Sequence, residues 1–248
     1  MAWLGERTRL ACCIPRPRGI HAATQGVPNA CGRPGCRAGR TARHARRARS
    51  PCTPLAIPFV PIILKAGMSR ELWSVKEFGD FELFVDWRIK ETPFVNRKAR
   101  IIFPDGSYKK DEAGGIVTVT APNTDSGVFL RGQHKSQVNI WCWPVGSGEV
   151  WGYRTDAKFS AEVRAGATPK VKADRPVGEW NTFHIAMKGD RLTVTLNDKL
   201  VIDHAQLPGV SAKGSLALQL HPERHDGEWG VSLVQFRNIW IKELTAPK

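Results

Sequence analysis

From Leu72 onward the chain alternates apolar and polar residues with a period of two, and only extended strands satisfy that pattern. Phe81, Leu83, Val85 and Trp87 fall on one face, with Glu82, Asp86 and Arg88 on the other. Phe84 interrupts the polar face and reads as a surface or site aromatic. Further strands are predicted over residues 116–120, 127–131, 137–141, 180–187, 191–196, 200–204, 215–221 and 231–244. Lys188-Gly189-Asp190 and Asn197-Asp198 read as hairpin turns, because Gly, Asn and Asp tolerate the positive φ angles such turns require. Residues 91–115 form a polar excursion holding one short strand, 99–103, and a Pro104-Asp105-Gly106 turn. No run of ten residues carries a clear helical period. Many short strands punctuated by turn residues predict an all-β fold, an antiparallel β-sandwich or jelly roll.

The charge is confined to one end of the chain. Residues 1–67 hold eleven Arg and one Lys against Glu6 alone, a net +11, whereas the other 25 basic and 22 acidic residues give +3. A domain that binds a polyanion carries a basic face of its own, so this distribution argues against nucleic acid as a partner. Cys12, Cys13, Cys31, Cys36 and Cys52 also lie in this segment, with only Cys142 beyond it. Cys31 and Cys36 lack the second pair and the histidines of a zinc site. Cys142, between two tryptophans, reads as a packed thiol.

Residues 1–67 are rich in Arg, Ala, Pro and Gly and show no apolar periodicity. Such a composition cannot bury enough apolar surface to offset its ordering entropy. They read as a low-complexity basic tail, disordered over 1–53 and joined ahead of a domain spanning 68–248, with Met68 as a candidate internal start. The apolar run 54–64 is broken by Pro58 and Pro61 and is too short to insert stably in a bilayer. No signal peptide is recognisable in it.

One stretch points to a ligand. Between Asp125 and Asp156 the rings of Trp141, Trp143, Trp151 and Tyr153 are interleaved with Arg131, Gln137, Asn139, Glu149 and Arg154. Aromatic faces stack on the C–H faces of a sugar, and planar polar groups read its hydroxyls. A sheet with core aromatics on one face and solvated polar residues on the other would look the same. Residues 155–178, with Pro169, Pro176 and five basic side chains, read as a long loop over one end of the sandwich.

Several pieces, in order and spacing, resemble the bacterial 3-keto-disaccharide hydrolase domain, a family with a concanavalin-like lectin/glucanase sandwich. They are Glu77-Phe78-Gly79-Asp80-Phe81 followed by Asp86-Trp87-Arg88, then Asp125-Ser126-Gly127-Val128-Phe129-Leu130-Arg131-Gly132 and Gln137-Val138-Asn139-Ile140. Gly178-Glu179-Trp180-Asn181, Leu218-Gln219-Leu220-His221 and Phe236-Arg237-Asn238-Ile239 complete the set. The family's first strand, built around a Phe-Asn-Gly-Lys-like motif, has no counterpart in residues 1–67. The resemblance implies an exported bacterial protein acting on glycosides whose C3 hydroxyl has been oxidised to a ketone. The ketone acidifies the C2 proton; its removal gives an enediolate that expels the glycosidic oxygen from C1, and water then adds.

Such chemistry needs a base, a cradle for the oxyanion and a proton for the leaving oxygen. His221 is the expected base or metal ligand, since histidine titrates near neutrality; it could equally be a strand-end histidine bonded to backbone. Glu149 is an expected acid or base, or else a surface carboxylate. Arg131 and Arg154 are expected to hold substrate oxygens through planar forks, the alternative being salt bridges with Asp125 or Asp156. Gln137 and Asn139 share a strand face and would read hydroxyls; Trp141, on that face, and Trp151 would stack on the ring. Arg237 and Asn238 are consecutive in a strand, so only one is expected to face a site. A divalent cation would stabilise an enediolate, but His134, His184, His204, His221 and His225 are dispersed and form no ligand cluster in the sequence. A non-catalytic carbohydrate-binding module would need the aromatics and amides without His221 or Glu149.

Overall fold

The computed structural model describes residues 60–61, 64–66, 71–225, 228–231 and 233–244, all within the unit Thr53–Lys248. Its strands in chain order are β1 (Val60–Pro61), β2 (Leu64–Ala66), β3 (Glu71–Phe78), β4 (Phe81–Glu91), β5 (Val95–Arg100), β6 (Thr118–Pro122), β7 (Asp125–Leu130) and β8 (Gln133–Trp141). After helices α1 (Trp151–Arg154) and α2 (Ala161–Gly166) come β9 (Asn181–Lys188), β10 (Arg191–Leu196), β11 (Lys199–Gln206), β12 (Gly214–Gln219), β13 (Pro222–His225), β14 (Glu228–Val231) and β15 (Leu233–Glu243).

The strands form an antiparallel β-sandwich. One sheet runs β1-β15-β4-β9-β10-β11 and the other β2-β3-β12-β7-β8, with β5-β6 and β13-β14 as separate hairpins. An apolar cluster joins the sheets. The six-stranded sheet supplies Phe81, Leu83, Val85, Trp87, Phe183, Ile185, Leu192 and Val194, and the five-stranded sheet supplies Val128, Leu130, Val138, Ile140, Leu216 and Leu218. The period of two in β4 thus reports one buried face, its alternate residues being partly exposed. Gly189, Asn197 and Asp198 adopt φ of 53°, 50° and 65°, as the two hairpin turns demand.

Three local features differ from the expectations. First, β1 pairs with β15 and β2 with β3, so each sheet gains an edge from residues counted above as tail and lying before Met68. The apolar run 54–64 contributes to both edges. The expected disorder of residues 1–53 lies outside the described residues.

Second, Arg237 and Asn238 both reach Asp86: Arg237 Nε donates to Asp86 Oδ2 at 3.4 Å and Asn238 Nδ2 donates to it at 2.7 Å. A register shift between Arg237 and Trp240, with Asn238 at φ 48°, breaks the strict alternation that would have sent them to opposite faces. Third, the stretch 155–178 carries α2, started by Ser160, whose Oγ accepts from the Val163 N–H at 3.3 Å. Among the described residues no helix is long and apolar enough to cross a membrane.

Candidate functional site

The five-stranded sheet presents a polar row on its outer face. Because Val128, Leu130, Val138, Ile140, Leu216 and Leu218 enter the core, the alternate positions Gly127, Phe129, Gln137, Asn139, Ala217 and Gln219 lie outside it. Gln219 pairs with Glu71, Ala217 with Phe129, and Gly127 with Asn139. The Gln137 amide donates to Gln219 Oε1 across the intervening strand. Gly127 makes that crossing feasible, since a Cβ there would meet Gln137 Nε2 at 2.5 Å and Val138 O at 2.7 Å.

His221 follows the end of β12, with Nε2 3.8 Å from Asp125 Oδ2. Glu71 Oε2, Asn139 Oδ1 and His221 Nδ1 are buried atoms with no hydrogen-bond partner among the described residues. Leaving such atoms unpaired costs about 1–3 kcal/mol each.

The row continues into a cleft. The Asn139 N–H donates to Glu149 O at 2.9 Å and the Gly148 N–H to Asn139 O at 2.8 Å, so residues 148–149 lie alongside β8. From there α1 carries Trp151 and Arg154. Arg154 Nε donates to Glu149 Oε1, and Arg154 Nη1 donates to the Tyr108 hydroxyl at 3.1 Å. Arg100 Nη1 donates to the same hydroxyl at 3.4 Å. Both guanidinium groups also face the Tyr108 ring, 5.4 and 5.2 Å from its centroid.

Trp143 and Trp151 complete a cleft of about 520 Å³ with Asn96, Lys98, Arg100, Tyr108 and Arg154. Trp151 is half exposed. Trp143 stacks on Trp141 at 4.4 Å and fixes its indole N–H on Asn123 Oδ1 at 2.8 Å. Burial alone would raise the Tyr108 pKa, but the hydrogen bonds and charges of Arg154 and Arg100 outweigh it and hold the phenol below its ordinary value.

The sequence profile of the 3-keto-alpha-glucoside-1,2-lyase-like domain matches residues 62–242, ending one residue before the end of β15. The chain belongs to this family. Among solved structures, a candidate glycosyl hydrolase from Parabacteroides distasonis ATCC 8503 is similar at 18% identity and a TM-score of 0.44, covering 74% of this chain and 72% of its own. A carbohydrate-binding module, CBM66 from Bacillus subtilis, is similar at 16% identity and a TM-score of 0.35, covering 73% and 92%. Likenesses this remote carry no argument about a ligand. A comparison with curated proteins found no match.

Within the lyase-like domain, the expected site residues fall into groups. Glu149, Arg154 and Trp151 meet at the cleft, and Gln137, Asn139 and His221 share the outer face. Trp141 links the two: it pairs with Asp125 in the sheet and stacks on Trp143 of the cleft.

Two expectations change. Glu149 is fully buried and spends one oxygen on Arg154, so it does not lie on the surface; its other oxygen has no hydrogen-bond partner among the described residues. Arg131 sits in the β7–β8 turn, at the other end of the hairpin from Trp141. Its donors go to Gly79 O (2.9 Å), Gly189 O (2.6 Å), Ser211 O (3.0 Å) and Asp80 Oδ1 (2.9 Å). It ties three loops together and has little left for an oxyanion. The alternative partners considered for the arginines, Asp125 and Asp156, are replaced by Asp80 and Glu149.

Tyr108, Arg100 and Glu71 were not anticipated. The available signal was that Tyr108 is one of only two tyrosines, set in a basic stretch of the polar excursion. Among the described residues, no group of three or more His, Cys, Asp or Glu is arranged to hold a metal.

Proposed function

We propose that this domain cleaves glycosides already oxidised to a ketone at C3, and that the cleft beside the outer face of the five-stranded sheet is where it does so. The observation that carries the reading is Tyr108 held by two arginines in the cleft that Trp143 and Trp151 also line. Membership of the 3-keto-alpha-glucoside-1,2-lyase-like family supports it. His221, with Asp125 beside it, takes the C2 proton. The electrons of that bond move into an enediolate whose C3 oxygen faces Arg100 and Arg154.

The C1–O bond then breaks, and Tyr108 supplies the proton to the leaving oxygen, the arginines stabilising the phenolate left behind. Water adds at C1 of the resulting enone, so the net reaction is hydrolysis. Trp143 and Trp151 stack on the sugar, while Gln137 and Asn139 read hydroxyls. Glu149 fixes Arg154.

The test is aglycone release from a 3-keto-glucoside by the full chain, with and without added divalent cation. Turnover reduced at least about 100-fold in both His221→Ala and Tyr108→Phe, in line with the usual worth of a general acid or base, supports the mechanism. Full turnover in both variants sinks it. A second reading, a non-catalytic carbohydrate-binding module, rests on the same aromatics and amides. It predicts saturable binding of unoxidised glycans, unchanged in both variants, and no turnover.

A further inference from the structure

Residues 92–123 form an arm beside the sandwich. β5 and β6 pair with each other and join neither of the large sheets. The other backbone hydrogen bonds of the arm, among the described residues, also close within it. Ile101 N–H donates to Val117 O, Phe103 N–H to Ser107 O, Lys109 N–H to Ile101 O and Val117 N–H to Lys109 O. A segment whose backbone groups satisfy one another can shift as a body without breaking a ladder. Its two ends are tied at one base: the Asn123 N–H donates to Phe94 O at 2.8 Å, and Thr92 Oγ1 donates to Asn123 O.

Little apolar packing holds this arm to the sandwich. Neither β5 nor β6 packs closely against another strand or helix. Ala99, Ile102 and Ala121 are buried, yet they lie outside the apolar cluster between the sheets, and Val95, Phe103, Ile116 and Val119 are exposed. Hydrogen bonds to the body sit at separate places. At the base, Asn123 Oδ1 accepts the Trp143 indole N–H at 2.8 Å. At the tip, Lys170 Nζ donates to Pro104 O at 2.8 Å and to Ala165 O at 2.7 Å, tying the turn to α2. Gly106, at φ 82°, rests on the same place: a Cβ there would meet Thr168 Oγ1 at 3.0 Å and Arg164 O at 3.3 Å. Between base and tip, the Tyr108 hydroxyl accepts from Arg154. Few buried apolar contacts are the mark of a unit that opens at low free energy.

We propose that residues 92–123 are a lid, which swings about its base and is latched shut over the cleft by Lys170 at its tip. The cleft is walled from both sides: Arg100 and Tyr108 come from the arm, and Trp143, Trp151 and Arg154 from the body. Opening parts Tyr108 from Arg154 and admits a ligand. Closing returns the phenol and Arg100 to it and shuts out water. That the ligand is a sugar rests on the function proposed above; the motion does not. Lids of this kind move on the microsecond-to-millisecond timescale.

The experiment is amide relaxation dispersion on the full chain, which detects minor states exchanging on that timescale. Amides of the arm are expected to share one exchange rate, with those of β9 and β10 flat. Lys170→Met removes the latch at an exposed position. It is expected to raise the minor population of the arm alone by about ten-fold, the scale of one hydrogen bond from a charged donor. A methyl 3-keto-glucoside added to His221→Ala is expected to flatten the arm's dispersion by holding it shut. Flat profiles in the arm of both the unaltered chain and Lys170→Met overturn the lid, as does exchange that β9 and β10 share. An unchanged minor population in Lys170→Met overturns the latch. Arm exchange and latch effect in place, with the sugar without influence, uphold the lid and count against the sugar assignment of the cleft.

Discussion

Replacing Arg131 by Met tests whether this arginine serves the fold or the chemistry. Its side chain is buried and donates to three backbone carbonyls and to Asp80. Met fills much of the aliphatic volume but leaves those acceptors unpaired. At about 1 kcal/mol for each of the three carbonyls, the lower end for buried unsatisfied groups, the loss is about 3 kcal/mol. The Asp80 carboxylate is 43% exposed, so the ion pair adds only about 0–1 kcal/mol after solvent screening. Removing a buried guanidinium returns part of its desolvation cost, so the net expectation is about 2–4 kcal/mol. Against a typical domain stability of about 5–15 kcal/mol that is a large fraction. Urea unfolding followed by tryptophan fluorescence measures it, with the m-value as a check that the unfolded reference is unchanged. Sugar binding by the folded fraction should be normal. A stability loss under about 0.5 kcal/mol would refute the structural reasoning, and unchanged stability with abolished turnover would return Arg131 to the active site.

The two tyrosines give a direct electrostatic test. Tyr108 should ionise below the ordinary value of 10.0 under the pull of its arginines, whereas burial and the charge of Asp190 push Tyr153 up to about 12. A phenolate absorbance titration should resolve two steps, and Tyr108→Phe should abolish only the lower one. The linked stability has opposite signs: Tyr108 contributes stability present above pH 10 and lost as pH falls through its depressed folded value, while Tyr153 makes stability fall as pH rises from 10 to about 12. Glu149→Gln removes the counter-charge of Arg154. It should cost about 2–4 kcal/mol in urea unfolding, as expected when one member of a buried pair is neutralised, and the phenolate titration should show Tyr108 ionising at a still lower pH. Gly127→Ala places a methyl against Val138 O and the Gln137 amide. It should cost about 1–3 kcal/mol as an overpacked site and weaken glycan binding in calorimetry; a neutral effect on both would mean the Gln137–Gln219 bridge is dispensable.

The parts legible in the sequence were those written in local periodicity. The alternation of β4 gave its buried face, and Gly189 and Asn197-Asp198 gave the hairpins, because φ preference and side-chain alternation are properties of a few consecutive residues. Gln137 and Asn139 were legible as a shared face for the same reason. What escaped was tertiary. The cleft depends on an excursion between β4 and β7 bringing Arg100 and Tyr108 against α1, which lies some forty residues farther along, and no local pattern encodes that meeting.

Arg131 shows the converse failure. Beside the aromatic stretch it looks like an oxyanion ligand, yet its φ of 51° places it in the β7–β8 turn, and its fork matches carbonyls contributed by Gly79, Gly189 and Ser211. A guanidinium serves either purpose with the same geometry. Only the positions of its acceptors decide which, and those come from three separate loops. The same holds for Glu149, whose burial is set by Arg154 five residues later and by the strand pairing that seats residues 148–149 beside Asn139. Catalytic and structural roles for a polar residue in this fold are therefore separated by where its partners end in the chain, a long-range property that residue type and spacing do not carry.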